Sequence, residues 1–196
     1  MNGQKGKLRQ KFGQNRRNMA NRKAASDLIH QRLLRCTEYV SALKPLHYVS
    51  VRNEVITLPL IESQLKSGQA AIVPFCQDEE LALREIRSLD DLSLGAYGIL
   101  EPTEAIRRDQ RRAVEDNEID CIVVPGVAFT AAGVRLGHGK GYYDRLFARL
   151  SPQAIRIALA FDCQIANDLP QEPHDQLVDM VVTETKTIQC DTREDA

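Results

Sequence analysis

The chain has 196 residues, a formal net charge of −1 and a composition close to that of average globular domains. Hydrophobic residues at 43% and charged residues at 27% exclude a largely disordered, collagenous or coiled-coil chain. No apolar run approaches the roughly 18 residues of a membrane span, and no signal-peptide stretch opens the chain. We therefore expect a single domain over residues 1–196 with no membrane partner.

The positive charge is concentrated at the amino terminus. Eight basic residues precede the first acidic residue, Asp27, which leaves 18 basic against 27 acidic residues and a net charge of −9 for the rest. A basic arm over residues 1–23 fits an anionic ligand, a solvated helix face or a targeting signal. A mitochondrial presequence ranks below the others because the arm has little apolar content, and charge alone leaves nucleic acid open.

Four segments carry helical signals. Apolar residues recur at helical spacing over residues 24–43 and stop before Pro45, which predicts one long amphipathic helix. Further helices are predicted over 58–66, over the arginine- and acid-rich segment 104–118, and over 142–150. The segment 88–103, with two glycines and a proline, is predicted to be a long functional or covering loop.

Five short apolar runs predict strands, over residues 46–51, 70–73, 121–124, 155–161 and 178–183. They lack strict polar alternation, as is typical of strands covered on both faces. We therefore predict an α/β fold, a three-layer α/β/α sandwich with a mainly parallel central sheet of about five strands. Ligands of such sheets bind at the carboxyl ends of the strands, so the loops after these runs are the first places to look.

The five cysteines are scattered, odd in number and never spaced C-x-x-C. Neither a disulfide framework nor a zinc site is predicted, and no cysteine is given a role. A reducing, cytoplasmic location fits best.

The segment most suited to ligand binding and catalysis spans residues 124–144, VPGVAFTAAGVRLGHGKGYYD. The glycines of the GHGKG turn let the chain adopt positive φ and let an anion approach free backbone N–H groups before the predicted helix. A helix dipole contributes only about 0.3–2 kcal/mol, so the flanking cations Arg135 and Lys140 and a magnesium ion on Asp144 would be needed to hold a triphosphate.

The turn matches neither standard phosphate-binding template. Lys140 is followed by Gly141 rather than Ser or Thr, and Tyr142 stands where G-x-G-x-x-G requires its third glycine. On local pattern alone, a tight strand-to-helix connection without a ligand is an equally good interpretation.

The string RLGHGKGYYDRL, with VPGVAF upstream, resembles the signature of the 5-formyltetrahydrofolate cyclo-ligase family. The resemblance extends over nearly the whole chain through K-x-x-L-R at 5–9, YVSVRNEVIT at 48–57, AYGILEP at 96–102 and LPQEPHDQLVDMVVTE at 169–184. It implies an enzyme of folate one-carbon metabolism that converts 5-formyltetrahydrofolate to 5,10-methenyltetrahydrofolate with ATP as co-substrate and Mg²⁺ as metal, releasing ADP and phosphate.

The family suggests that the formyl oxygen attacks the γ-phosphate, after which nitrogen ten attacks the activated carbon and phosphate leaves. Phosphoryl transfer depends on positioning and charge neutralisation. The catalytic candidates implied by the resemblance are Lys140, Arg135 and Tyr142.

The resemblance also assigns binding positions. ATP contacts are expected at Lys5, Arg9, Arg135, Leu136, Gly137, His138, Gly139, Lys140, Gly141, Tyr142 and Tyr143. Folate contacts are expected at Val49, Glu54, Tyr97, His138, Gly139, Lys140, Gly141 and Tyr142. The expected metal ligands are Asp144 and Asp179.

Several of these roles have plainer alternatives. Lys5 and Arg9, four residues apart on a helix, could form a solvated face. Tyr142 or Tyr143 could pack a helix start, and Asp179 could simply end a strand. Phe75 and Cys76 follow Pro74 where many family members have arginine, which leaves one anion contact open.

Two other functions stay open. The first is a non-catalytic nucleic-acid or phosphate-binding module built on the basic arm, although Phe12 is the only aromatic residue in that arm. The second is a sister enzyme acting on another formylated or carboxylated substrate. With small-molecule substrates and no nucleic-acid partner as the leading interpretation, we expect a monomer.

Overall fold

The computed structural model describes residues 2–95, 98–173 and 175–190. Tyr97, an expected folate contact, lies outside the described residues. The described helices are α1 (Asn2–Arg17), α2 (Arg22–Leu33), α3 (Thr37–Val40), α4 (Leu58–Lys66), α5 (Glu104–Arg108) and α6 (Tyr142–Phe147). In the described part of the chain, no helix is long and apolar enough to span a membrane.

The described strands are β1 (Pro45–His47), β2 (Ala71–Gln77), β3 (Glu80–Ile86), β4 (Leu92–Leu94), β5 (Leu100–Pro102), β6 (Cys121–Val124), β7 (Ala128–Thr130), β8 (Arg135–Leu136), β9 (Ile155–Leu159), β10 (Ile165–Ala166), β11 (Met180–Val182) and β12 (Thr187–Gln189). Seven of them form one sheet in the order β12-β11-β9-β6-β1-β2-β3. All five predicted runs lie in it and pair in parallel. The mixed α/β class and the mostly parallel sheet are confirmed, whereas the prediction of about five strands is wrong in number.

The two extra strands are antiparallel edges, β3 and β12. The connection from β2 to β3 is a tight turn in which Asp78 and Glu79 have φ values of 48° and 65°. Glycine or asparagine is the usual residue at such φ values, so no turn could be predicted here from residue type.

The predicted helix over 142–150 ends at Phe147, and three other predicted segments differ further from the structure. The long helix over 24–43 is divided into α2 and α3. The helix over 104–118 ends at Arg108, because the Asp109 side chain accepts the Arg111 N–H and starts a separate 3-10 turn. The predicted loop over 88–103 contains the β4–β5 hairpin.

The sheet is buried on both faces. Cys121 and Val123 of β6 pack with α2 on one face, whereas Ile122 and Val124 pack with α6 and Phe129 in a different core cluster. Helix α4 packs over β2 in a third cluster. This alternation agrees with strands covered on both sides, and the three-layer sandwich itself stays a prediction.

A small three-stranded sheet, formed by β10, β7 and β8, lies between β6 and the glycine turn. Strand β7 pairs with β10 in parallel and with β8 in antiparallel orientation. Helix α1 is held against it because Phe12 packs with Val127, Leu136 and Leu169. The amino-terminal helix therefore lies beside the segment that leads into residues 137–141.

Candidate functional site

The loop over residues 137–141 joins β8 directly to α6. Gly139 and Gly141 have φ values of 94° and 69°, a region that residues with a side chain rarely adopt. A Cβ atom at Gly139 would lie 3.1 Å from the guanidinium carbon of Arg9, and one at Gly141 would lie 2.9 Å from Nη1 of Arg145. The positive φ values thus favour glycine at both positions, and a side chain there would also have to displace an arginine.

Helix α1 carries two of the expected cations, and Arg9 is the one that contacts the loop. Arg9 donates from Nε to the Gly137 carbonyl at 2.9 Å. One turn earlier, the buried Lys5 ammonium lies 3.0 Å from Glu172 Oε2 and 2.6 Å from Asp175 Oδ2. These two side chains therefore bind protein groups and do not form a solvated face.

Arg135, the last cation before the loop, is almost fully buried. Its side chain is 4% exposed, and its Nη2 lies 2.8 Å from Asp144 Oδ1. The guanidinium carbon lies 5.6 and 5.4 Å from the ring centres of Tyr143 and Phe147. The ion pair and the two rings fix both the guanidinium and the carboxylate across the loop.

The Asp144 carboxylate could bind a magnesium ion that is also bound to the phosphates of a nucleotide. Its side chain is 21% exposed, and in the described residues its Oδ2 accepts no hydrogen bond. No cluster of three or more His, Cys, Asp or Glu residues in the described ranges is arranged as a metal cage. Magnesium usually binds one or two carboxylates together with phosphate oxygens and water, so this donor set fits it.

Asp179 lies elsewhere on the sheet. It precedes β11, at the amino ends of the parallel strands, where its Oδ2 accepts the Arg156 N–H at 2.8 Å. Asp144 instead follows the loop near the carboxyl end of β6, since Arg135 also approaches the Pro125 carbonyl. The two expected metal ligands thus occupy different ends of the sheet.

The exposed side of the loop carries Lys140. Its ammonium lies 5.8 Å from the ring centre of Tyr142, and Arg145 lies 5.3 Å from the same ring. The Tyr142 hydroxyl also reaches Cys76 at the end of β2; burial raises the pKa of that thiol, and the hydrogen bond from tyrosine opposes the rise. Cys76 is therefore a neighbour of the loop that sequence reasoning did not assign.

Glu54 also lies beside the loop, next to His138. The carboxylate is 6% exposed, accepts the Val51 N–H at 3.0 Å, and lies 3.6 Å from Nε2 of the exposed His138. Val49 is buried in the core cluster beside α4. The structure therefore brings Glu54, but not the Val49 side chain, next to the loop.

The buried Tyr48 and the partly buried Tyr143 border this region. Burial raises the pKa of Tyr48 and of Tyr143, and nearby Glu54 raises both further. Tyr48 donates its hydroxyl hydrogen to the Val55 carbonyl at 2.9 Å. Both phenols therefore stay protonated near neutral pH and can donate but not act as bases.

Sequence reasoning missed one further cation, Arg16. It is 6% exposed and donates from Nη1 to the Gly126 carbonyl at 3.1 Å, at the carboxyl end of β6. The available signal was its spacing, since Lys5, Arg9, Phe12 and Arg16 recur at intervals of three and four along one helix face.

Comparison with known proteins shows the family of the chain. The 5-formyltetrahydrofolate cyclo-ligase family model matches residues 1–184. A probable 5-formyltetrahydrofolate cyclo-ligase of Caenorhabditis elegans is 33% identical over 74% of each chain, and the Mus musculus 5-formyltetrahydrofolate cyclo-ligase is 30% identical over 80% of this chain and 81% of its own. The solved Aquifex aeolicus 5,10-methenyltetrahydrofolate synthetase is 32% identical, with a TM-score of 0.84 over 98% of this chain and 95% of its own. The chain belongs to the 5-formyltetrahydrofolate cyclo-ligase family.

Proposed function

We propose that the chain closes 5-formyltetrahydrofolate to 5,10-methenyltetrahydrofolate and consumes ATP, which leaves as ADP and phosphate. The observation that carries this proposal is the position of the 137–141 loop. Arg9, the Arg135–Asp144 pair and Glu54 all border this loop. The same loop can thus contact the phosphates of ATP and the folate substrate at the same time.

The proposed reaction requires ATP and the folate to be bound next to each other. A formamide carbon is a weak electrophile and its oxygen is a poor leaving group. Transfer of the γ-phosphoryl group to the formyl oxygen makes that oxygen a phosphate ester. Attack by nitrogen ten on the formyl carbon then closes the ring as the C–O bond breaks, phosphate departs and the proton of nitrogen ten is released to solvent or to the phosphate. Both steps depend on alignment and on neutralising negative charge, with no need for a protein nucleophile.

The phosphate groups are assigned to the cationic side of the loop. Lys140 is exposed and stands over Tyr142, from where its long side chain can reach a γ-phosphate. Arg135 cannot move far because it is buried and paired, so it acts through the orientation of Asp144 and the loop. Arg9 stabilises the loop conformation through Gly137 and presents its remaining N–H groups to the nucleotide.

Magnesium is proposed to bind Asp144 through Oδ2, with the nucleotide supplying further oxygens. When bound, the ion would neutralise phosphate charge. Asp179 is not assigned to this ion, because it lies at the other end of the sheet, where its Oδ2 accepts the Arg156 N–H.

The folate is assigned to the side of the loop that carries Glu54. A buried carboxylate can accept hydrogen bonds from the N–H edge of a pterin, and His138 beside it can contact either ligand. Val49 and Tyr97 complete the proposed folate positions.

We also propose that the chain acts as a monomer. Its five free cysteines are typical of a reducing, cytoplasmic location. The non-catalytic alternative is less favoured because Lys5, Arg9 and Arg16 of the basic arm bind protein groups rather than facing solvent.

The test is a direct assay with the purified chain. Incubation with 5-formyltetrahydrofolate, Mg²⁺ and ATP should produce the absorbance of the methenyl product and one ADP per product. Parallel reactions with ADP in place of ATP, and with 5-formyltetrahydrofolate replaced by other formylated amides, serve as controls. Absence of ATP-dependent product, or faster turnover of another amide, would overturn the proposal.

A further inference from the structure

Arg145 of α6 bridges the glycine loop and the turn between β2 and β3. Its Nη1 donates to the Lys140 carbonyl at 3.1 Å, and its Nη2 donates to the Glu79 carbonyl at 2.6 Å. The guanidinium also lies against the loop backbone, because a Cβ atom at Gly141 would be 2.9 Å from Nη1. One planar side chain therefore fixes the loop backbone at Lys140 relative to a hairpin of the main sheet.

The turn that Arg145 contacts is held in an unusual conformation. Asp78 and Glu79 are consecutive non-glycine residues with positive φ, which persists where surrounding contacts hold the backbone in place. Arg149, one helical turn after Arg145, supplies such contacts, since its guanidinium donates to each of the first two residues of β3 at 3.0 Å. Two arginines thus attach the hairpin to the α6 segment, and the contacts of Arg145 extend to the loop.

The Tyr142 ring lies between this anchor and the Lys140 side chain. The guanidinium carbon of Arg145 lies 5.3 Å from the ring centre, and the Lys140 ammonium lies 5.8 Å from it. Lys140 is exposed, whereas the guanidinium of Arg145 is engaged by two carbonyls. Arg145 therefore serves as the fixed cation of the two, and Lys140 has the side chain that can reach a phosphate.

We propose that Arg145 is a positioning residue for phosphoryl transfer, which acts by holding the Lys140 carbonyl and so sets the direction in which the Lys140 side chain leaves the loop. This inference rests on the proposed function for the role of Lys140. Misplacement of a reacting group by about 1 Å can cost on the order of a hundred-fold in rate, so a backbone anchor at this position affects turnover. The β2–β3 hairpin is then part of the support of the site.

The first experiment compares the cyclisation kinetics of single variants. Arg145→Met should lower kcat about ten-fold and leave the KM for 5-formyltetrahydrofolate within about three-fold of wild type. Arg145→Lys keeps the charge, but an ammonium lacks the planar fork that spans two carbonyls, so its kcat should lie closer to that of Arg145→Met than to wild type. Arg149→Met, which removes the other hairpin anchor, is the matched control and should keep kcat within about two-fold.

A double-variant cycle tests whether Arg145 acts through Lys140. In a Lys140→Ala background, Arg145→Met should lower kcat less than about two-fold further, because the side chain that it positions is gone. A guanidinium that bound the phosphates by itself would lower kcat by the same factor in both backgrounds. Such additive losses would overturn the inference.

Amide hydrogen exchange gives a readout that does not depend on activity. Arg145 is exposed, so Arg145→Met should fold with a Tm within about 3 °C of wild type. In the free protein this variant should speed exchange over residues 137–142 at least about three-fold, whereas Arg149→Met should leave exchange there unchanged.

Three further results would contradict the inference: unchanged exchange of the loop in Arg145→Met, near-wild-type kcat in Arg145→Lys, or equal losses of kcat in Arg145→Met and Arg149→Met. A wild-type chain without cyclisation activity would instead refute the proposed function. The exchange measurement would still report whether Arg145 holds the loop.

Discussion

Arg135 Nη2 lies 2.8 Å from Asp144 Oδ1, so the residue that opens the glycine loop is paired with a residue of the helix that follows it. The pair ties β8 to α6 and holds the intervening turn in one shape. Because Arg135 is 4% exposed, it depends on this carboxylate for charge compensation. The proposed magnesium ligand therefore also stabilises the loop, and substitutions there should affect metal requirement and stability together.

Asp144→Asn should show both effects. The amide retains an acceptor for Arg135 but removes the charge, so we expect Tm to fall by a few degrees and the Mg²⁺ concentration for half-maximal activity to rise about ten-fold or more. Magnesium titrations and thermal melts measure the two effects. Asp27→Asn, which removes only an exposed pair with Lys23, should change neither value. An unchanged magnesium requirement in Asp144→Asn would remove Asp144 from the metal site.

Lys140→Ala should separate catalysis from folding. The ammonium is exposed, so its loss should leave Tm within about 2 °C of wild type. Loss of a cation that stabilises the transferring phosphoryl group should lower kcat by roughly 10²–10³-fold. Steady-state kinetics with ATP varied check this, with Lys66→Ala as an exposed lysine remote from the loop. Near-normal kcat and KM for ATP would refute the role of Lys140.

Gly139→Ala and Gly68→Ala form a matched pair. Both glycines have positive φ, at 94° and 82°, so each alanine should cost about 1–2 kcal/mol of stability. Only Gly139 has a neighbour in the way, the Arg9 guanidinium at 3.1 Å, whereas nothing lies within 4 Å at Gly68. We expect a raised KM for ATP in Gly139→Ala alone. Equal kinetics in the two variants would show that the Arg9 contact has no part in nucleotide binding.

The parallel core of the sheet was predictable because its strands are short apolar runs bounded by glycine and proline. The edge strands were not, since β3 alternates with charged residues and its turn uses Asp78 and Glu79 in conformations that favour glycine. The break after Arg108 depends on a single aspartate that caps the next turn. A side chain that caps a new turn in this way competes with helix continuation. The spacing of apolar residues does not predict it.

The site, like the sheet, was predictable only in part. The glycine loop and its cations were apparent from residue type and resemblance, but their partners come from distant segments. Lys5 is paired with Glu172 and Asp175, about 170 positions away, and Arg16 reaches the loop after β6. Pairings of this kind depend on how α1 packs on the small sheet. That packing cannot be predicted from a single sequence.

The buried His47 should make stability depend on pH. Its ring is fully buried, its Nε2 lies 2.8 Å from the Tyr39 hydroxyl, and burial lowers its pKa from 6.5 to about 4. The folded state therefore binds this proton less readily than the unfolded state, so the stabilisation is complete above pH 6.5 and is lost as pH falls toward 4. The largest loss from His47 is about 3 kcal/mol.

His47→Gln keeps a polar partner for Tyr39 and removes the titration. Urea unfolding at pH 7, 6 and 5 should show a steeper decline for wild type than for the variant, and the difference between the two curves isolates His47 from the carboxylates. Burial also lowers the pKa of His30, so a shallower decline of the same sign should persist in the variant. Parallel curves for the two proteins would show that the His47 ring is not held neutral by the fold.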